Sequence, residues 1–266
     1  MTVIEVGYNG PIAVIVLNKP NKLNALTKDE FYQLARALQE VAIHGEVVAT
    51  VLTGNGRFFS ASGADVSVSR QMPEGTDLYR HNLTVTVASN MNLARAFYTH
   101  PKILVVALNG PVVGMAAALI AFADFIYCTG ETYLLTPFAS LGLISEGVSS
   151  IAFAERMGIS KANEALILAK RISSKELLEA GFVNQIFNCP AESFRGEVLK
   201  DVKERFHDGL NASSMLQIKK MIRYRSRREL DAQNVDEVFG ALERNVQGIP
   251  QKEFEKLRKG QKKHKL

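Results

Sequence analysis

Asn109-Gly110-Pro111-Val112-Val113-Gly114-Met115-Ala116-Ala117-Ala118-Leu119 is the stretch from which the fold is read. Before it lies Ile103–Leu108, an unbroken apolar run of strand type. After it the Ala-rich composition of 114–122 predicts a helix. Strand, glycine turn and helix in succession are the unit of an α/β protein. The turn has chemical interest as well. Glycine lets a backbone bend sharply or approach a ligand. A helix that opens on such a turn presents N–H groups and a dipole that favour negative charge.

The same rhythm extends in both directions. Val3–Tyr8 and Ile12–Leu17 are strand-like and flank Asn9-Gly10, a strong hairpin signal. Asn18–Asn24 is a polar loop containing Pro20. Thr27 and Glu30 have capping-box spacing, and Phe31, Leu34, Ala35, Leu38 and Ala42 follow at helical intervals. Val47–Leu52 predicts a buried strand, and Phe125–Cys128 another. A second glycine turn, Phe58-Phe59-Ser60-Ala61-Ser62-Gly63-Ala64-Asp65, lies about fifty residues before the first. Two N–H groups converging from such turns form an oxyanion hole, where one donor contributes ~3 kcal/mol to a transition state. Read singly, either is an ordinary turn after a strand.

Beyond about residue 190 the β-rich runs stop. Phe194, Val198, Val202 and Phe206 share one helical face, and Met215, Ile218, Met221 and Ile222 form a second stripe. Asn234 with Glu237 reads as the cap of a third helix carrying Val238, Phe239 and Leu242. The expected organisation is an α/β core over 1–190 and a helical region over 191–266. Helices apolar on more than one face need a neighbour, which points to a homo-oligomer.

The 266 residues are 47% hydrophobic and 22% charged, the balance of a globular chain with one large core. No apolar run reaches the roughly 18 residues that span a bilayer, and Met1–Gly10 has no basic flank of a signal or transit peptide. Two cysteines, Cys128 and Cys189, read as packing, and five scattered histidines lack metal-ligand spacing. The net charge of +5 is concentrated in Lys219, Lys220, Arg223, Arg225, Arg227 and Arg228, and in Lys256, Arg258, Lys259, Lys262, Lys263 and Lys265. These are solvated helix faces or a surface for an anionic partner. No nucleic-acid motif accompanies them, so a small phosphorylated ligand ranks above RNA or DNA.

The pair Ser62-Gly63-Ala64-Asp65 and Asn109–Leu119 resembles the two oxyanion loops of the crotonase (enoyl-CoA hydratase/isomerase) family. Asn18–Leu26 is similar to that family's first CoA-contacting loop, and Thr136–Ser150 to its catalytic segment. Their order and spacing match along essentially the whole chain. The resemblance implies a spiral of stacked ββα units with a C-terminal helical region that builds trimers or dimers of trimers. It implies oxyanion donors at the N–H groups of Ala64 and Met115. It further implies substrate contacts at Lys22, Leu23, Ala25, Ser62, Gly63, Asp65, Val66, Gly114 and Phe138.

Family hydratases carry two glutamates at the positions of Ala118 and Phe138, and neither Ala nor Phe can activate water. Glu146 remains. By residue pattern alone it is a helix-terminal glutamate beside Gly147. The resemblance to peroxisomal enoyl-CoA isomerases instead implies an acid/base role. A proton would move from C2 to C4 of a 3-enoyl-CoA with no cofactor and no metal, the CoA arriving with the substrate. Rival readings are a dienoyl-CoA isomerase, a thioester hydrolase and a silent acyl-CoA-binding protein. A dienoyl-CoA isomerase would need a further carboxylate. Neither Asp65 nor Glu131 fits the family pattern for one.

His264-Lys265-Leu266 is similar to the C-terminal peroxisomal address, with histidine replacing the usual serine. The expected compartment is the peroxisome, reached through its import receptor. Deleting 264–266 is expected to leave activity intact and shift the protein to the cytosol, checked by imaging in cells without a full-length copy. Unchanged import would refute the address.

Overall fold

The computed structural model describes residues 2–61, 75–207, 209–224 and 226–263. Strands β1 (Ile4–Asn9) and β2 (Ile12–Leu17) pair antiparallel, Asn9 opposite Ile12. Gly10 supplies the left-handed φ of +57° that the tight turn requires. Helix α1 (Lys28–Ile43) begins at the expected capping box: Thr27 accepts from the Glu30 N–H and Glu30 from the Thr27 N–H. Then come β3 (Ala49–Gly54), α2 (Leu78–Asn82), α3 (Ala88–Tyr98), β4 (Ile103–Leu108), the short β5 (Val112–Val113) and α4 (Met115–Leu119). They are followed by β6 (Phe125–Thr129), β7 (Tyr133–Leu135), α5 (Ser149–Leu166), β8 (Ile172–Ser173), α6 (Ser174–Glu179) and β9 (Gln185–Phe187). The C-terminal helices are α7 (Ala191–His207), α8 (Ala212–Tyr224), α9 (Arg227–Val246) and α10 (Ile249–Arg258).

One sheet has the order β1-β2-β3-β4-β6-β9, parallel apart from the first pair. A smaller sheet has the order β5-β7-β8. The apolar strands divide their side chains by a period of two. Ala13, Ile15, Leu17, Leu52, Leu104, Val106 and Leu108 enter one core with α1, α3, α4 and α5. Ile12, Ala49, Val51, Ile103, Val105 and Ala107 face the other way. Phe194, Val198 and Val202 of α7 cover them, which explains the four-residue spacing read in the sequence. A parallel sheet covered on both faces needs continuous apolar strands, and Ile103–Leu108 is one.

Helix α8 inverts its expected pattern. Ile218, Met221 and Ile222 are exposed, whereas Lys219 is buried. Lys219 Nζ donates to the Lys102 carbonyl at 2.5 Å and to Asp124 Oδ2 at 2.6 Å. Asp124 also accepts from the Leu104 N–H and from Arg223. A buried ion pair with further hydrogen bonds fixes α8 to the chain entering β4 and β6, leaving Ile218, Met221 and Ile222 outward while Met215 packs on the sheet. The third expected helix start also differs. Asn234 and Glu237 lie inside α9 and are buried, because the helix already begins at Arg227.

The basic clusters are largely paired within the chain. Arg227 meets Asp231, Lys256 and Lys262 meet Glu253, and Arg258 and Lys259 meet Glu255. Cys128 is buried and its thiol is pushed up to about 12 by desolvation. No described helix is long and apolar enough to cross a membrane.

His100 is buried beneath Thr50, whose Oγ1 lies 2.8 Å from Nε2. Burial, reinforced by Lys219 and Lys102, pushes the imidazole down to about 3 from 6.5. The unfolded chain therefore takes up this proton below pH 6.5 and the folded chain only near 3. The resulting stability is complete above pH 6.5 and is lost as pH falls toward about 3. His100→Asn is expected to reduce the pH slope of urea unfolding in this window by about one proton.

Candidate active site

Three loops meet above the strand ends. The first follows the turn Pro20–Lys22, where Leu23 and Asn24 both adopt φ of 53°. Two successive non-glycine residues in the left-handed region need support. The buried Asn24 side chain provides it. Its Oδ1 accepts from the Lys19 N–H at 2.8 Å, and its Nδ2 donates to the carbonyls of Asn55 and Phe58 at 2.9 Å each. Ala61 N–H donates to Leu23 O, and Ser60 Oγ to Asn24 O. The Lys22–Ala25 loop is thus bound to the turn that begins at Phe58. Lys22 is exposed, and Leu23 and Ala25 are half-buried.

The buried Asn109 ties the turn Asn109–Met115 to the same place. Its Oδ1 accepts from the Gly54 N–H at 3.0 Å, while Nδ2 donates to Gly56 O and Phe58 O at 2.7 and 3.1 Å. Gly110 is required by contact, since a Cβ there would stand 2.1 Å from the Arg57 carbonyl oxygen. Val113 N–H then donates to Ser60 O at 2.9 Å. Asn24 and Asn109 were not among the sequence-derived site residues. Asn109 directly follows the apolar strand β4, a position that marks a buried loop staple, whereas Asn24 sits in a polar loop and carried no such signal.

Gly114, with φ 64° and ψ −133°, turns the chain into α4 and donates its N–H to Leu135 O at 2.8 Å. Met115 is the first residue of α4, so its N–H points from the start of the helical run 115–122. Gly147 lies directly against this helix. A Cβ on it would stand 3.1 Å from both Met115 Sδ and Ala118 Cβ. The neighbouring Glu146 is half-buried, and its carbonyl accepts from the Ser149 N–H and Oγ at 3.3 and 2.8 Å. The fold therefore joins Glu146, Gly147, Gly114 and Met115, which are distant in sequence.

Ala118, at this junction, and Phe138, which opens the tight turn Ala139–Leu141, are both buried apolar residues. Ser62, Gly63, Ala64, Asp65 and Val66, and the tail residues His264, Lys265 and Leu266, lie outside the described residues.

A further carboxylate comes from the C-terminal region. Glu237 accepts from the Val148 N–H at 2.6 Å, the Ser150 N–H at 3.2 Å and Ser150 Oγ at 2.5 Å. Burial raises its carboxyl above the usual range, opposed by these donors. Glu237 therefore holds the N–H groups at the start of α5. Glu237 was legible as the single acid in the buried stripe Leu230, Asn234, Val238, Ala241 and Leu242.

The family model for enoyl-CoA hydratase/isomerase matches residues 7–253. The chain is 48% identical to a Delta(3,5)-Delta(2,4)-dienoyl-CoA isomerase of Pyricularia oryzae, covering 99% of each. It is 34% identical to a 3,2-trans-enoyl-CoA isomerase of Saccharomyces cerevisiae, covering 99% of this chain and 96% of that one. A crystal structure of an enoyl-CoA hydratase/isomerase from Pseudoalteromonas atlantica shares the fold. Its TM-score is 0.84 at 23% identity, over 99% of this chain and 100% of that one.

Gly147→Ala would force a side chain into the left-handed region, at a cost of about 1–2 kcal/mol, and press it on Met115 and Ala118. Chemical denaturation is expected to show that loss of stability.

Proposed function

Because the chain belongs to the enoyl-CoA hydratase/isomerase family, we propose that it moves the double bond of a 3-cis- or 3-trans-enoyl-CoA to the 2-trans position. The isomerase names of the two relatives support a double-bond shift within an enoyl-CoA. The observation that carries the reading is the placement of Glu146. Glu146 directly precedes Gly147, the glycine that packs on Met115 and Ala118 of α4.

In this reading the thioester carbonyl lies between the N–H groups of Ala64 and Met115, which stabilise negative charge on its oxygen. The Glu146 carboxylate takes a proton from C2, and the electrons of that C–H bond delocalise over oxygen, C2 and C4. The carboxylic acid then returns the proton to C4, leaving the double bond between C2 and C3. One group serves as base and then as acid. No net proton, electron or water is exchanged, and the residues involved call for no cofactor. Ala118 and Phe138 offer nothing to hold an attacking water, which disfavours hydration. The loop of Lys22, Leu23 and Ala25, together with Ser62, Gly63, Asp65 and Val66, would receive the CoA, with Gly114 and Phe138 toward the acyl group.

The name of the 48% relative favours a second reading, conversion of a 3,5-dienoyl-CoA to its 2,4 isomer. That reaction delivers the proton beyond C4. We further propose that 191–266 mediates assembly into a homotrimer or dimer of trimers, and that residues 264–266 direct the chain to the peroxisome.

Purified protein is expected to convert 3-enoyl-CoA to 2-trans-enoyl-CoA and to hydrate 2-enoyl-CoA far more slowly. Faster turnover of 3,5-dienoyl-CoA would select the second reading. Glu146→Gln preserves shape but cannot shuttle a proton, so kcat should fall roughly a hundredfold or more with acyl-CoA binding retained. A Glu146→Gln protein that keeps most of its kcat removes this residue from the mechanism.

A further inference from the structure

The turn that carries Glu146 is held from outside the α/β core. Gly147 has φ 68° and Val148 φ 60°, two left-handed residues in succession. Glycine adopts this region freely, but a β-branched valine does not. Val148 is also the N-cap of α5 and makes no side-chain cap hydrogen bond. A serine, threonine or aspartate at that position would cap the helix locally. Instead the capping carboxylate is that of Glu237, 89 residues further along the chain.

Helix α9 is shaped for this contact. Glu237, Gly240 and Arg244 lie on one face at helical spacing. Gly240 allows close approach, since a Cβ there would stand 2.6 Å from Ile144 Cδ1. Arg244 Nε donates to Gly142 O at 2.6 Å. Lys262, beyond α10, donates to Ser140 O. The segment 140–150 is therefore gripped on both sides of Glu146 by groups from the C-terminal helices.

We propose that Glu237 is a positioning residue that aims Glu146 at the substrate by fixing the strained Gly147-Val148 turn. The proposal rests on the acid/base reading of Glu146. Glu237 does not touch the reacting atoms. It acts through the Val148 N–H, one residue beyond the glycine that seats the turn on Met115 and Ala118. A carboxylate fits this task better than a neutral amide. It offers acceptors to three converging donors, whereas glutamine would turn an N–H toward one of them. The burial of Glu237, which raises its carboxyl, shows that it is held out of water for these contacts.

The test compares wild type, Glu146→Gln, Glu237→Gln and Ser150→Ala in the full chain. The readouts are kcat and KM on 3-enoyl-CoA, affinity for a saturated acyl-CoA, and Tm. Misaiming a reactive group lowers kcat and leaves binding alone. Glu237→Gln is expected to lower kcat by about tenfold to a hundredfold. KM and saturated acyl-CoA affinity should stay within about twofold. Ser150→Ala, which removes one of the three donors, should lower kcat by a smaller factor with the same split. Wild-type kcat in Glu237→Gln, alongside an inactive Glu146→Gln, overturns the proposal and leaves the acid/base reading intact. An active Glu146→Gln instead overturns the acid/base reading, and this proposal falls with it. If Glu237→Gln does not fold, Ser150→Ala decides, and an unchanged kcat there overturns the proposal.

Discussion

The carbonyl oxygen of Phe58 accepts from two buried amides, Asn24 Nδ2 at 2.9 Å and Asn109 Nδ2 at 3.1 Å. Those two side chains belong to different loops, and the carbonyl belongs to a third. Loops at strand ends have no ladder to satisfy their backbone groups, and unpaired groups would be costly once buried. Here the asparagines supply the missing partners, and the three loops become one unit. The Lys22–Ala25 loop, the turn at 58–61 and the turn at 109–115 owe their relative placement to this junction. Replacing either amide by an apolar group would take one of the two donors from Phe58 O and remove the partner of a second carbonyl and of a backbone N–H, Asn55 O and Lys19 N for Asn24, Gly56 O and Gly54 N for Asn109.

The sheet sets where that junction lies. Its parallel strands end together, so the loops after β2, β3 and β4 gather on one edge, as ligand sites in open α/β sheets do. Apolar helices seal both faces. The site then needs only short reaches of chain, because rigid strands hold the loop ends. The smaller sheet adds the Gly114–Leu135 link, which connects the Gly114 turn to the segment carrying Phe138 and Glu146.

Local signals were well expressed in the sequence. The Asn9-Gly10 hairpin, the Thr27–Glu30 box and the Ile103–Leu108 strand are each fixed by chemistry within a few residues, and all three appear as read. The α7 stripe was legible too, because its period matches the face it covers. The misread positions depend on distant partners. Lys219 is polar and yet buried, because Asp124 lies 95 residues earlier. Asn234 and Glu237 have cap spacing, yet their partners are Met91 and Tyr98 for one, and Val148 and Ser150 for the other. Spacing could not distinguish a residue capping its own helix from one capping another. Glu146 was read through family resemblance, since its own neighbourhood equally describes an ordinary helix terminus.

The contact between α9 and the 140–150 segment also has a consequence for how the enzyme is made. Domains fold broadly from the N-terminus during synthesis. By the time Leu166 has emerged, the chain contains both the Gly114 turn and Glu146, yet the carboxylate that caps α5 has not been translated. The turn at Gly147-Val148 must wait for a partner from a helix 89 residues further along the chain. Closing so long a loop is an entropic step that precedes its reward. The order of synthesis thus separates the folding of the sheet from the completion of the site.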